Sequence, residues 1–96
     1  MKEVSEKEYE LMSMIFQMFA DRTRLKILHC LFEKECHVNE IVERVGLSQS
    51  AISHQLSSLK KTRIVRTNKV GRKVYYCLDD EHIESIFKMT LDHIHE

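Results

Sequence analysis

The sequence predicts a mainly α-helical domain with a two-stranded β-hairpin, on three observations. Apolar residues recur at three- and four-residue steps in five stretches. After residue 63 the pattern switches to strand-like alternation, and two short helical stretches are separated only by Gly46-Leu47-Ser48. Ninety-six residues, 43% apolar and 31% charged, suit one folded domain spanning 1–96 rather than disorder. A chain this short buries a modest core and gains from oligomerising.

The first helix is expected from Glu8 to Phe19, with Leu11 or Met12, Ile15, and Met18 or Phe19 facing inward. Tyr9, Met14 and Phe16 lie outside that stripe, and a helix apolar on two faces wants two partners, its own core and a second subunit. Asp21 is placed to cap a second helix through Phe32. Val38, Ile41, Val42 and Val45 make one face of a third helix, which Gly46 stops as a C′ glycine. Ser48 caps a fourth, running to about Thr62. Strands are expected over Ile64–Val70 and Lys73–Leu78, joined at Val70-Gly71-Arg72. Asp79 or Asp80 then caps a fifth helix whose apolar side is Ile83, Ile86, Phe87, Thr90, Leu91 and Ile94. A helix-turn-helix followed by a hairpin is a winged helix-turn-helix. The expected assembly is a homodimer joined through the first and last helices.

Charge is uneven along a chain whose net charge is zero. Residues 48–73 hold seven Lys and Arg and no acid, whereas residues 74–96 hold six acids and one Lys. In the fourth helix Ile52, Leu56 and Leu59 should pack inward, leaving Gln49 or Ser50, Ser53, His54 and Ser57 on the opposite stripe. Short hydrogen-bonding side chains without an acid can enter a DNA major groove. Lys60, Lys61 and Arg63, with Lys69, Arg72 and Lys73 on the wing, suit phosphate contacts. The expected partner is double-stranded operator DNA carrying an inverted repeat. No membrane-spanning run, leader or organic substrate site is expected, so the reading is a cytoplasmic protein that is not an enzyme.

Three cysteines at irregular spacing argue against a disulfide framework, and Cys30 and Cys77 read as small core residues. Asp80, His82, His93 and Glu96 on the last helix are ligand types for zinc. His82 and His93 share a helix face but stand ~16 Å apart along it. One helix cannot bring them to one ion, but two antiparallel copies can, giving two symmetric sites per dimer. On spacing alone, this reading and that of an ordinary acidic surface helix stand side by side.

Asp21-Arg-Thr-Arg-Leu, Val45-Gly-Leu-Ser-Gln-Ser-Ala-Ile-Ser-His-Gln-Leu, Gly71 and Val74-Tyr-Tyr resemble the ArsR/SmtB family of bacterial metal-sensing repressors over nearly the whole chain. The Asp80-x-His82 and His93-x-x-Glu96 spacing is similar to its zinc-sensing branch. The resemblance implies Asp80, His82, His93 and Glu96 as Zn(II) ligands across the dimer. Co(II) fits the same set, and His95 is the alternative to Glu96. It places Gln49, Ser50, Ser53 and His54 against DNA. It further implies a repressor of a metal-efflux or metal-sequestration gene, and the expected switch is a metal-free dimer that binds its operator and dissociates when zinc binds.

The segment Glu35-Cys-His-Val-Asn-Glu-Ile41 departs from the family's Glu-Leu-Cys-Val-Cys-Asp-Leu motif, with His37 and Asn39 at its cysteine positions. A thiolate-rich site is not expected there, and an auxiliary site at Cys36 and His37 is the lesser alternative to plain loop residues. Rival readings are a thiol-redox repressor using Cys36, a zinc buffer, and a small zinc hydrolase. Four protein ligands would leave the hydrolase no open position for water.

Overall fold

A computed structural model describes residues 2–96. Its elements run α1 (Glu6–Phe19), α2 (Arg22–Glu33), β1 (Cys36–His37), α3 (Val38–Val45), α4 (Gln49–Lys61), β2 (Val65–Val70), β3 (Lys73–Leu78) and α5 (Glu81–Ile94). The fold is a winged helix-turn-helix: five helices and a hairpin, as the sequence predicts, with one added strand.

Four of the five helices begin where a side chain can replace a missing carbonyl. Ser5 Oγ accepts the Glu8 amide at 3.1 Å while Glu8 Oε1 accepts the Ser5 amide at 3.0 Å. This reciprocal capping box starts α1 two residues earlier than its apolar pattern suggests. Asp21 Oδ2 accepts the Arg24 amide, Ser48 Oγ that of Ala51, and Asp80 Oδ1 those of His82 and Ile83. Gly46 ends α3 at φ 81°, so α4 can leave at an angle after only two more residues.

The end of α4 is a Schellman turn: Ile64 N–H reaches Leu59 O at 2.9 Å and Arg63 N–H reaches Lys60 O at 3.1 Å. Leu59 and Ile64 are both fully buried, which supplies the apolar contact that accompanies this turn. The left-handed position, usually glycine, is Arg63 at φ 60°.

The sheet order is β1-β3-β2, all antiparallel. Val65 pairs with Leu78 at the root and Val70 with Lys73 at the tip, so the turn is Gly71-Arg72, with Gly71 at φ 63°. Where loop residues were expected, Cys36 and His37 pair with Tyr76 and Tyr75. Two residues are too few to show a period, and the pairing is fixed by β3, far along the chain.

The core is built from Ile27, Leu28 and Leu31 of α2, Ile41 of α3, and Ile52, Leu56 and Leu59 of α4, closed by Ile64, Val65, Leu78 and Ile83. It therefore sits directly behind α4 and the root of the wing. No residue of α1 is fully buried; Ile15, Met18 and Phe19 pack partly on the core. Tyr9, Leu11, Met12, Met14 and Phe16 stay exposed, as do Leu91 and Ile94 of α5. A groove of about 380 Å³ between α1, α2 and α5 is lined by Phe16, Phe19, Leu25, Phe87, Leu91 and Ile94, among others. Of the stripe expected to face inward, Ile15, Met18 and Phe19 do so, but Leu11 and Met12 are each 47% exposed. The reason is that α1 meets the core only over its C-terminal half and leaves the rest of its apolar surface uncovered in the protomer.

Candidate nucleic-acid interface and metal centre

α4 is held by a buried row, Ile52, Leu56 and Leu59, each 0% exposed. That row fixes the outward direction of the opposite stripe. Gln49, Ser50, Ser53 and His54 are all exposed, as are Ser57, Lys60 and Lys61. Arg72 and Lys73 project from the wing tip and are exposed too. All eight residues expected at DNA therefore lie at the surface, on α4 or on the hairpin whose root shares its core.

Seven cations and no acid lie between Ser48 and Lys73. Among the described residues the close Lys and Arg ion pairs lie elsewhere, Glu33–Arg44 and Lys34–Glu40 at 2.8 Å and Lys88–Asp92 at 2.6 Å being the shortest. The α4 and wing cations thus face solvent, available to phosphates. Sequence reasoning does not single out Gln55, half-buried between the outward stripe and the buried row. Its partner, Arg24, is 31 residues away and has no local signal.

α5 and its N-cap carry two donor pairs, the first of them beside the end of α4, where Asp80 and His82 line a cavity with Lys61 and Arg63. Asp80 Oδ2 lies 3.4 Å from His82 Nδ1, and His93 Nδ1 lies 3.4 Å from Glu96 Oε2. The His82 and His93 side chains are 89% and 81% exposed. The Ile83 amide hydrogen bond, followed by bonds from His82, holds the Asp80 carboxyl below the usual carboxylate range, so it is an ionised donor. Its Oδ1 caps the helix, leaving Oδ2 toward His82. The helix keeps the two pairs apart: among the described residues of one protomer, no three His, Cys, Asp or Glu gather where one ion could sit. Two imidazoles and two carboxylates form a nitrogen–oxygen donor set that fits zinc or cobalt, provided two protomers share it.

The sequence between residues 21 and 67 matches the profile of the "Bacterial regulatory protein, arsR family". The cadmium resistance transcriptional regulatory protein CadC homolog of Staphylococcus aureus is 35% identical over 83 residues, covering 85% of this chain and 69% of that protein. The chain belongs to the ArsR family. The transcriptional repressor SmtB homolog of a Synechocystis species is 36% identical over 85 residues, 88% of this chain, which spans 64% of that relative's length. In three dimensions this ArsR-family chain superposes on the homodimeric winged helix-turn-helix domain Mb0332 of Mycobacterium bovis, with a TM-score of 0.89 at 23% identity. That match covers 100% of this chain and 92% of the other, and it speaks to the fold.

The cysteines of this ArsR-family chain are all buried and unpaired. Cys36, in β1, directs its thiol at the carbonyls of Lys34 (3.4 Å) and Cys30 (3.8 Å). Burial pushes all three thiols up from their ordinary range. They are therefore poorly ionised at neutral pH, the opposite of a reactive thiol. His37 Nε2 is 3.5 Å from Glu40 Oε1, and Glu40 Oε2 is taken by Lys34 Nζ at 2.8 Å. The auxiliary pairing of Cys36 with His37 thus has a thiol turned into the core and a carboxylate already engaged by a cation.

Proposed function

We propose that this chain is a metal-responsive transcriptional repressor whose homodimer, joined through α1 and α5, binds operator DNA when metal-free and releases it on binding Zn(II). The observation that carries this reading is the division of α5. A donor pair stands at each end, and an uncovered apolar face runs from Leu91, between the pairs, to Ile94 beside the second. If two such helices pack antiparallel through that face, Asp80 and His82 of one protomer lie opposite His93 and Glu96 of the partner subunit. The names of the SmtB and CadC homologs support a regulator answering to metal.

In the metal-free dimer α4 enters the major groove, with Ser53, His54, Gln49 and Ser50 toward base edges and Lys60, Lys61, Arg72 and Lys73 on phosphates. The two reading heads meet half-sites of an inverted repeat about one helical turn apart, roughly 34 Å. A bound metal supplies a cross-link between protomers that favours a dimer with its reading heads off that spacing. By linkage, DNA must then weaken metal affinity by the factor by which metal weakens DNA affinity. Acid opposes the metal response, because its imidazole ligands must be neutral. The buried, hard-to-ionise Cys36 speaks against the thiol-redox alternative.

The test is fluorescence anisotropy on a duplex that the wild-type protein recovers from a random-sequence pool, with zinc added and then chelated. Wild type should lose affinity by roughly five- to 150-fold with zinc and regain it with chelator. His93→Ala, altering a side chain that is 81% exposed, should bind the duplex like metal-free wild type and ignore zinc. A zinc-saturated wild type that keeps its full affinity would refute the switch.

A further inference from the structure

Arg24 stands in the first turn of α2, its amide fixed by Asp21 Oδ2 at 2.9 Å. From there its guanidinium spends all three nitrogens on two other helices. Nε donates to Met18 O at 2.9 Å and Nη2 to Gln17 O at 3.0 Å. Both carbonyls lie in the last turn of α1, where the helical ladder runs out, and Gln17 O also accepts the Ala20 amide at 3.2 Å. Nη1 donates to Gln55 Oε1 of α4 at 3.1 Å. A guanidinium is planar and its donors are fixed relative to one another, so these bonds define an angle as well as a distance. One rigid plate, anchored on α2, thus connects the end of α1 with the middle of α4.

The place of Gln55 gives the plate its consequence. It lies one residue after His54 and two after Ser53 on the exposed stripe, and immediately before the fully buried Leu56. The apolar row resists lifting α4 off the core, but dispersion contacts are non-directional and tolerate a small roll or slide. The bond to Arg24 does not tolerate it. We propose that Arg24 is a positioning residue which, through Gln55, locks the roll of α4 to α1 and thereby sets the half-site spacing that the dimer accepts. The inference rests on the DNA-reading dimer proposed above. α1 belongs to the frame shared by both protomers, so a roll of α4 relative to α1 changes the separation of the two reading heads.

The experiment compares wild type, Gln55→Met and Arg24→Lys on three duplexes: the one recovered by wild type from a random pool, and two derivatives with one base pair added or removed at its centre. Wild type should bind the altered duplexes about tenfold or more weakly. Gln55→Met keeps the side chain's length and removes its acceptor. It should remain a dimer with a melting temperature near wild type, yet discriminate between spacings by less than about threefold. Arg24→Lys, which keeps the charge and loses the fork, should relax discrimination in the same direction. A purely structural role, or a direct DNA contact by Gln55, would lower affinity by one common factor on all three duplexes. Gln55→Met that discriminates as sharply as wild type overturns the proposal. A wild type indifferent to spacing overturns the paired half-site reading beneath it.

Discussion

Glu40 serves two donors at once: Oε2 accepts Lys34 Nζ at 2.8 Å and Oε1 accepts the His37 amide at 3.1 Å. The Lys34 bond first, then the His37 amide, hold its carboxyl below the usual carboxylate range. A carboxyl lowered in the folded state adds stability at pH values above its unfolded range, and that stability is lost as pH falls through the folded value. Glu40→Gln should therefore melt below wild type at neutral pH, and the gap should close as the solution is acidified through the carboxylate range. Thermal unfolding at a series of pH values measures this. The pair is exposed and the effect small, but it sits where β1 turns into α3, so it reports on the joint that places the first helix of the helix-turn-helix.

Among the elements, α1 and α5 leave the most large apolar side chains in water, with Leu25 of α2 and Val70 and Val74 of the wing adding one each. Leu91 is 41% and Phe16 55% exposed, and both line the groove shared with α2. Contiguous apolar surface of this kind marks an interface. This face is the seam of the proposed homodimer, so Leu91→Glu should leave a monomer at micromolar protein, read by sedimentation velocity, with helix content by circular dichroism unchanged. The elements themselves were largely legible in the sequence, because their signals are local. Asp21, Ser48 and Gly46 mark helix ends by their own backbone chemistry, and Ile52, Leu56 and Leu59 keep a helical period. β1 was not legible, since its two residues acquire strand character only from Tyr75 and Tyr76. The α5 donor pairs were readable for a similar reason: each is a contact between close neighbours in sequence. What joins the pairs lies across a subunit boundary, and what joins Arg24 to Gln55 lies across 31 residues.

At the scale of the whole molecule, zero net charge hides a segregation on which the proposed association with DNA depends. The basic segment from Ser48 to Lys73 forms α4, its exit and most of the wing, while acids dominate α5 and its approach. Affinity for duplex DNA should fall steeply with salt, because each phosphate contact releases condensed counterions. Lys61→Gln should weaken selected and unrelated duplexes alike, and reduce the slope of log affinity against log salt by about one per protomer. Anisotropy titrations at several salt concentrations measure both effects. A slope unchanged by the substitution would remove Lys61 from the phosphate contacts.

Arg63 ends α4 in a conformation that suits glycine. Left-handed backbone at a residue that carries a Cβ costs roughly 1–2 kcal/mol, and Arg63→Gly should recover part of that as a raised melting temperature. The same change deletes an exposed cation at the foot of the reading helix. Durability and grip therefore pull this single position in opposite directions. A screen of variants for heat resistance alone should enrich glycine here, and its winners should be weaker at silencing a promoter.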